Sequence, residues 1–350
     1  MLTDRLDVSL DELREHSGWE LKPEGACLGD VCIPLRAPVT RDDGRVDLEA
    51  FAGQLGMPVV ADPAHGLWAL GPAAADHVID QATMPELTLS DFEGRPYDLS
   101  DSRGRKVVMV AWASWCGCAR DLPSWQALYE ELAPHGLDVV TVALDTNVDA
   151  ARPAAEAAQQ THPSLVDPAH RVVERFGITN VPLGMWIDEK GVIVRPPESA
   201  PVPPRAGEPD RAAMVSQLPE DQLRIVAAMT ANAGDPTRYT DAVRDWVAKG
   251  EESEFVLSEE EVVARSRPLP PEAATAAAHY ELGQHLHRSG HGQDAVAHFA
   301  AAHDLDPTNW SYQRQARALV HPAWGAVYER DLFTEVGRVG PATWRPAPTI

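Results

Sequence analysis

The feature that most constrains this chain is a turn in which two cysteines stand one residue apart, between a hydrophobic run and an amphipathic one. Residues 107–111 are continuously apolar, which is typical of a strand buried on both faces. Apolar residues then recur at helical spacing from Leu122 to Leu132. Cys116 therefore lies at or just before a helix amino terminus, where free N–H groups and the helix dipole stabilise a thiolate. The pattern favours a redox site over two small core cysteines.

The segments around this turn resemble a known family over roughly residues 83–250. Residues 85–89, 91–94 and 112–116, with Pro123, are together similar to the ResA/TlpA branch of the thioredoxin-like redoxins. That branch usually has two residues between its cysteines, whereas this chain has only Gly117. The turn most resembles a ResA-like subgroup with the motif Trp-Ala-x-x-Sec-Gly-Cys, with Cys116 in the place of selenocysteine.

The resemblance implies an α/β fold whose central thioredoxin-like domain spans 83–250. The residues agree, since 137–144 read as a second buried strand, 153–160 as a helix and 188–191 as a hairpin turn. The resemblance places Val181 and Pro182 in the family's cis-proline loop. It also implies that these two residues and Trp115 form the substrate-binding surface. On the residues alone an ordinary trans proline is favoured, because only about 5% of X-Pro bonds are cis.

The chemistry of the turn assigns a role to each residue. Cys116 comes first and has the helix amides ahead of it, so it is predicted to attack, and Cys118 to resolve the mixed disulfide. Gly117 permits the tight turn, and so small a disulfide ring predicts a pair more oxidising than that of thioredoxin. Asp121 is either a proton relay facing the pair or a solvated acid in the first helical turn.

Composition limits the partners and the location. The 350 residues carry 30 Lys and Arg against 53 Asp and Glu, a net charge of −23, which disfavours nucleic acid as a partner. No apolar stretch approaches the length of a membrane span, and residues 1–7 lack the basic and apolar parts of a signal peptide. We predict a cytoplasmic protein with no membrane partner, cofactor or metal. In that compartment cysteines are more often catalytic than structural.

Residues 1–80 are predicted to form a separate small α+β module of winged-helix type. A capping box at 9–12 begins one helix, residues 46–55 read as a second, and a hairpin turns at 63–66. Cys27 and Cys32 are predicted to form a local disulfide or an auxiliary dithiol that exchanges with the central pair. Their segment weakly resembles the catalytic cysteine region of alkylmercury lyases, but that family's second cysteine has no match. A four-cysteine zinc site is disfavoured, because Cys-x-Cys in a redoxin turn is badly arranged for it.

The carboxyl-terminal third, residues 251–350, is predicted to be helical. It follows a Pro-rich insertion at 196–209, one or two helices in 210–231 and a last redoxin helix at 239–249. Residues 276–307 resemble one tetratricopeptide repeat, with matches at Leu282, Gly283, Leu286, Gly290, Ala295, Phe299, Ala302 and Pro307. One repeat cannot bury a core alone, so a helical brace is favoured over a peptide-binding surface. A further helix is expected over 310–320.

These patterns together predict a thiol–disulfide oxidoreductase that works with a cellular thiol reductant, either thioredoxin or a low-molecular-weight thiol, and a disulfide or peroxide substrate. One alternative is a thiol peroxidase of the glutathione-peroxidase type, although that family's Trp-Asn pair is missing and residues 145–147 stand where its Gln is expected. A peroxiredoxin is disfavoured by Ala113, where that family has Thr. The other alternative is a redox-sensing module whose helical carboxyl-terminal region binds a protein partner.

Overall fold

The computed structural model describes residues 1–29, 31–204, 215–320 and 331–350. The strands are β1 Leu2–Thr3, β2 Asp7–Val8, β3 Trp19–Lys22, β4 Gly25–Leu28, β5 Val31–Ile33, β6 Val46–Asp47, β7 Val59–Asp62, β8 Leu67–Leu70, β9 Thr88–Asp91, β10 Pro96–Asp98, β11 Lys106–Trp112, β12 Leu137–Ala143, β13 Ser164–Val166, β14 Leu183–Ile187 and β15 Ile193–Ser199. The helices are α1 Leu10–Ser17, α2 Leu48–Leu55, α3 Leu122–Leu132, α4 Val148–Ala157, α5 Arg171–Phe176, α6 Glu220–Ala231, α7 Pro236–Lys249, α8 Glu259–Arg265, α9 Pro271–Arg288, α10 Gly292–Leu305, α11 Trp310–Leu319 and α12 Leu332–Val339.

The chain divides into two compact units that do not follow the three predicted segments. The smaller contains residues 1–76 and 268–307, and the larger contains 77–267, 308–318 and the described tail from 331. The helical region predicted at 251–350 is therefore shared between them. The physical reason is that α9 buries Ala278 and Leu282 against Ala69 of β8, which ties the helical pair to the amino-terminal strands.

The larger unit is built on a seven-stranded sheet in the order β10-β9-β13-β12-β11-β14-β15. Strands β11, β12 and β13 run parallel, and β14 is antiparallel to β11. Every residue of β11 is buried, as its apolar run predicts. On one face, Trp186 of β14 stacks on Trp246 of α7 with ring centroids 4.9 Å apart, so the helix predicted to close the domain does pack on the sheet.

The Pro-rich insertion begins later than predicted. Pro196 and Pro197 lie inside β15, which continues to Ser199 as the edge strand beside β14. An edge strand tolerates proline because the missing N–H can face the side without a neighbour. Residues 205–209 of the predicted insertion, and the start of the helical stretch predicted at 210–231, lie outside the described residues.

The smaller unit contains three sheets, in the orders β1-β8-β7, β3-β4-β5 and β2-β6. The capping box of α1 forms as predicted, and Gly56 ends α2 in the left-handed conformation at φ 66°. Trp19 packs edge-on against Phe51 at the centre of this core. The β7–β8 hairpin pairs with β1 and packs on α9, an arrangement that leaves the winged-helix interpretation unconfirmed.

Helices α9 and α10 form the close pair expected at 276–307. Gly283 lies so near Phe299 that an added Cβ would meet its ring at 2.7 Å, which explains the small residue at that position. The name tetratricopeptide for this single pair stays a prediction. Among the helices of the described residues, none has the length and apolar character needed to span a membrane.

Candidate active site

The cysteine turn lies where β11 ends. Cys116 caps a 3₁₀ turn at Gly117–Asp121 that leads directly into α3. Its Sγ accepts a hydrogen bond from the Cys118 backbone N–H at 3.3 Å, so the expected amide donor is in place. Both cysteines are free thiols, and they are only 6% and 5% exposed.

The cis-proline loop lies against this turn. The Val181–Pro182 bond is cis, and Cys116 Sγ lies 3.4 Å from the Val181 carbonyl oxygen. The Val181 N–H donates to the side-chain oxygen of Asn180 at 2.9 Å. Val181 is fully buried. The turn and the loop are therefore adjacent as predicted, but the Val181 backbone expected to pair with an extended substrate already has partners within the chain.

A cation from the carboxyl-terminal region completes the site. Arg314 of α11 places its guanidinium 4.6 Å from the ring centroid of Trp115 and 5.0 Å from that of Trp344. It also donates to the Asn180 side-chain oxygen at 2.7 Å. Stacking between two aromatic faces and a fixed hydrogen bond suit the planar guanidinium of arginine. A permanent positive charge is thereby held beside the thiols.

The two thiols differ in acidity. Burial alone would raise the pKa of Cys116, but hydrogen bonds from Cys118 and the charge of Arg314 hold that pKa well below its usual value. For Cys118, burial and then the hydrogen bond and negative charge of Cys116 raise the pKa well above its usual value. The surroundings therefore favour the thiolate form of Cys116 and the protonated form of Cys118.

Two polar side chains fix the loop before the cysteines. Asp145, just beyond β12, accepts from the Ser114 backbone N–H at 2.9 Å and from the Ser114 hydroxyl. Gln315 of α11 accepts from the Trp115 indole N–H at 2.9 Å and from the Thr146 N–H at 3.2 Å. Burial raises the pKa of Asp145, with hydrogen bonds from Ser114 opposing that rise. Both contacts orient the segment that carries Cys116.

Comparison with known proteins agrees with this geometry. Residues 81–196 match the model of the AhpC/TSA family. These residues have a thioredoxin-like fold and are similar to that family. Thiol-disulfide oxidoreductase ResA of Geobacillus thermodenitrificans is 30% identical over 113 residues, which are 32% of this chain and 65% of that protein.

Two further proteins are similar to part of the chain. Sporulation thiol-disulfide oxidoreductase A of Bacillus subtilis is 28% identical over 133 residues, covering 37% of this chain and 80% of that protein. A crystal structure titled as a putative thiol:disulfide interchange protein DsbE from Chlorobium tepidum is 26% identical, covers 32% of this chain and 80% of its own, and has a TM-score of 0.31. The chain spans just under two thirds of the length of the first relative.

Asp121 and Arg345 lie beside the thiols of the thioredoxin-like domain. Asp121 is only 5% exposed, so it is not the solvated first-turn acid of the second interpretation. Burial lowers the pKa of Arg345, and the negative charges of Cys116, Cys118 and Asp121 oppose that change. These three groups are therefore within electrostatic reach of the Arg345 guanidinium. The proton-relay role of Asp121 stays a prediction.

Helix α11 covers the cis-proline loop of the thioredoxin-like domain. The Ser311 N–H donates to the Thr179 carbonyl at 2.7 Å, and the Ser311 hydroxyl donates to the Ile178 carbonyl at 3.2 Å. Together with Arg314 and Gln315, this makes one face of α11 a cover over the cysteine turn, which we call the α11 cover. It explains why two reactive thiols are almost fully buried.

Sequence reasoning missed four residues of this site: Asp145, Arg314, Gln315 and Arg345. Asp145 had a usable signal, because it follows a buried strand and the carboxyl ends of parallel strands meet at one edge of the sheet. The two α11 residues and Arg345 had none, since they follow the domain by more than 100 residues of unrelated pattern.

Cys27 and Cys32 form a disulfide in the smaller unit. They lie directly opposite each other on β4 and β5, so the pairing register brings their side chains together. Of the two predicted states, the local disulfide is the one present. An exchange between this pair and the cysteines of the thioredoxin-like domain stays a prediction.

Proposed function

We propose that the protein is a thiol–disulfide oxidoreductase that cycles between the Cys116/Cys118 dithiol and a disulfide joining them. One observation carries the proposal: against the opposing effect of burial, hydrogen bonds from Cys118 and the charge of Arg314 lower the pKa of Cys116, while burial and the neighbouring Cys116 raise the pKa of Cys118. A thiolate is the attacking form of cysteine, and a protonated partner is kept in reserve until it is needed. ResA of Geobacillus thermodenitrificans and sporulation thiol-disulfide oxidoreductase A of Bacillus subtilis are both named as thiol-disulfide oxidoreductases, which supports the same chemistry.

The first step is the attack of the Cys116 thiolate on one sulfur of a substrate disulfide. A bond forms between Cys116 and that sulfur, the substrate S–S bond breaks, and the other substrate sulfur leaves as a thiolate. The negative charge of Cys116 disappears in this step. Burial still raises the pKa of Cys118, but the charge of Cys116 no longer adds to that rise. Attack by Cys116 therefore makes Cys118 more acidic at the moment when it has to react.

The second step is the attack of Cys118 on the Cys116 sulfur. The Cys116–Cys118 disulfide forms, the second substrate thiolate leaves, and the substrate has gained two electrons. Buried Asp121 is proposed to accept the Cys118 proton and to pass it to a leaving thiolate. A cellular thiol reductant, which is thioredoxin or a low-molecular-weight thiol, then returns the pair to the dithiol.

The α11 cover favours small substrates. Cys116 is 6% exposed, and the backbone of Val181 has its own partners, so a folded protein substrate cannot reach the sulfur without displacing α11. A low-molecular-weight disulfide meets less of this obstacle. We propose that the substrate-binding surface of Trp115, Val181 and Pro182 receives such a molecule from beside the α11 cover.

The same burial supports a second candidate function, the reduction of a hydroperoxide. The Cys116 thiolate would attack the terminal peroxide oxygen, giving a sulfenic acid on Cys116 and releasing the alcohol or water. Cys118 would then displace water from that sulfur and form the same disulfide. This reaction needs only a small oxidant and a stabilised thiolate.

A stopped-flow experiment decides between these functions. The reduced protein is mixed with glutathione disulfide, with hydrogen peroxide and with a protein disulfide, and the loss of both thiols is followed by rapid alkylation and mass spectrometry. The proposal expects fast two-thiol oxidation by glutathione disulfide. Fast reaction with peroxide alone would select the peroxidase, and rapid reaction with the protein disulfide alone would contradict the small-substrate assignment.

The cellular setting is also a proposal. The cytoplasmic location predicted from the sequence sets the reductant to one of the cytoplasmic thiols. The Cys27–Cys32 disulfide is of a kind more common in oxidising compartments. Fractionation of cells that make the full-length natural protein, combined with the redox state of Cys27 and Cys32, tests the location directly.

A further inference from the structure

The smaller unit contains a cluster of imidazoles and carboxylates that the redox chemistry does not use. Asp62 ends β7 and His65 lies in the following turn, while His291 caps α10 and Asp294 lies in its first turn. One ligand atom from each of His65, His291 and Asp294 falls within 4.8 Å of those of the other two. All of these residues belong to one unit of the structure.

Asp62 fixes the orientation of His65. Its Oδ2 lies 2.7 Å from His65 Nδ1, and its Oδ1 accepts from the Ala64 N–H at 3.1 Å. The Asp62 and His65 side chains are only 9% and 18% exposed. A carboxylate that accepts the Nδ1 proton leaves Nε2 as the atom with a free lone pair, which is the usual arrangement behind a metal-binding histidine.

The free nitrogen of His65 points at a carboxylate. Its Nε2 lies 3.3 Å from Oδ2 of Asp294. At that distance the two atoms are joined either by a hydrogen bond from a protonated Nε2 or by a cation that both atoms bind. In a tetrahedral zinc site with bonds of about 2.05 Å, neighbouring ligand atoms are about 3.3 Å apart. The separation of 3.3 Å between His65 Nε2 and Asp294 Oδ2 equals this distance between neighbouring ligand atoms.

His291 supplies a third ligand. Its ring centroid is 4.7 Å from that of His65, and its Nδ1 is 3.9 Å from Oδ2 of Asp294. A small rotation of the His291 side chain, which moves Nδ1 by well under 1 Å, brings that atom to the tetrahedral ligand separation from Asp294 Oδ2. The His291 and Asp294 side chains are about half exposed, so the ion has an entry path and a place for water as a fourth ligand.

We propose that His65, His291 and Asp294 bind one divalent transition-metal ion of the zinc type, with Asp62 orienting His65. Two imidazoles and one carboxylate select such an ion over magnesium or calcium, which prefer oxygen ligands. The bound ion ties the β7–β8 turn to the start of α10. This departs from the sequence prediction that the protein has no metal site.

The test uses the full chain with Cys116→Ser and Cys118→Ser, because free thiols also bind zinc, and with any affinity tag removed. Zn²⁺ is titrated by calorimetry, and Co²⁺ by the visible absorption that a tetrahedral site produces. We expect one equivalent of Zn²⁺, an intense tetrahedral Co²⁺ spectrum and a metal-dependent rise in Tm. His65→Ala and Asp294→Asn should each weaken Zn²⁺ binding at least tenfold, and Asp62→Asn should weaken it about 10–100-fold.

The control variant is His135→Ala, which removes an exposed histidine of the larger unit and should leave Zn²⁺ binding unchanged. Melting curves without metal show whether each variant folds. Asp294→Asn leaves the turn that contains His65 unchanged, so it shows whether the effect of His65→Ala comes from a lost ligand or from a disturbed turn. Two outcomes overturn the proposal. One is the absence of saturable Zn²⁺ binding in the thiol-free protein, which would leave His65 as an imidazolium between two carboxylates. The other is tight binding that survives in both His65→Ala and Asp294→Asn.

Discussion

The two cysteine pairs of this chain stand in opposite surroundings. Cys27 and Cys32 lie opposite each other on two antiparallel strands, and the sheet register joins them in a disulfide. Cys116 and Cys118 lie on one tight turn, with a backbone N–H and the Arg314 guanidinium directed at the first thiol. Burial does not distinguish the two pairs, since each has a buried member. The comparison therefore indicates that the donors and charges around the sulfur set the chemistry of a cysteine.

The largest effect is expected from the nucleophile itself. Cys116→Ser should reduce disulfide exchange to the uncatalysed background, because the pKa of Cys116 is lowered, whereas the pKa of Cys118, the other free thiol of the described residues, is raised. In the Cys118→Ser variant, Cys116 should still attack the substrate, but the reaction should stop at a mixed disulfide. Mass spectrometry detects this species as a substrate adduct on Cys116. Turnover that survives in Cys116→Ser and disappears in Cys118→Ser without an adduct would reverse the two roles.

Much of this reactive pair could be predicted from the sequence. The continuous apolar run at 107–111 and the helical spacing after Leu122 are local patterns, so they located the strand, the turn and the helix that follows it. Asp121 was named with two interpretations, and its burial removes the solvated one. The residues from α11 could not be predicted, because their contacts depend on how distant segments pack and not on any local period.

The second prediction concerns the cation that distinguishes the two pairs. Arg314→Gln should raise the pKa of Cys116, since it removes a charge that lowers it against the opposing effect of burial. A lowered thiol pKa means that thiolate is present above that pKa and is lost as the pH falls through it. The midpoint of the iodoacetamide rate against pH should therefore move up in the variant, with several-fold slower alkylation near neutral pH and little change at high pH.

Two matched variants sharpen that experiment. Arg314→Lys keeps the positive charge but loses the planar stacking on Trp115, so it should restore part of the shift. Arg244→Gln removes a cation that pairs with Glu131 elsewhere in the same unit and should leave the pH midpoint in place. A midpoint that is the same in Arg314→Gln and Arg244→Gln would show that burial and the turn amides alone set the acidity of Cys116.

A smaller effect is expected from loosening the α11 cover. Gln315→Ala removes the acceptor shared by the Trp115 indole and the Thr146 N–H. The loss should let α11 move away from the turn more often, so a bulky maleimide should react a few-fold faster with Cys116 while iodoacetamide reacts at its former rate. Equal acceleration of both reagents would indicate a change in the thiol itself, and no acceleration of either would mean that Gln315 does not hold the cover.

The smallest effect on activity is expected from the disulfide pair, and it tests the comparison from the other side. Replacing Cys27 and Cys32 with Ser together should leave glutathione-disulfide exchange by Cys116 unchanged, because that pair is joined in a disulfide and offers no free thiol. The variant should instead lose stability. A disulfide between residues five positions apart closes a short loop. The closed loop restricts the conformations of the unfolded chain, which contributes about 2 kcal/mol to the free energy of unfolding.

Thermal melting with and without a reductant measures this stability loss, and the exchange assay is run on the same samples. Reduced wild-type protein is the matched control, since it opens the disulfide without changing either side chain to oxygen. If the double variant melts like the oxidised wild type but exchanges disulfides slowly, then Cys27 and Cys32 pass electrons to or from the central pair. The distinction drawn between a structural and a catalytic cysteine pair would then fail, and the smaller unit would have to be counted as part of the redox machinery.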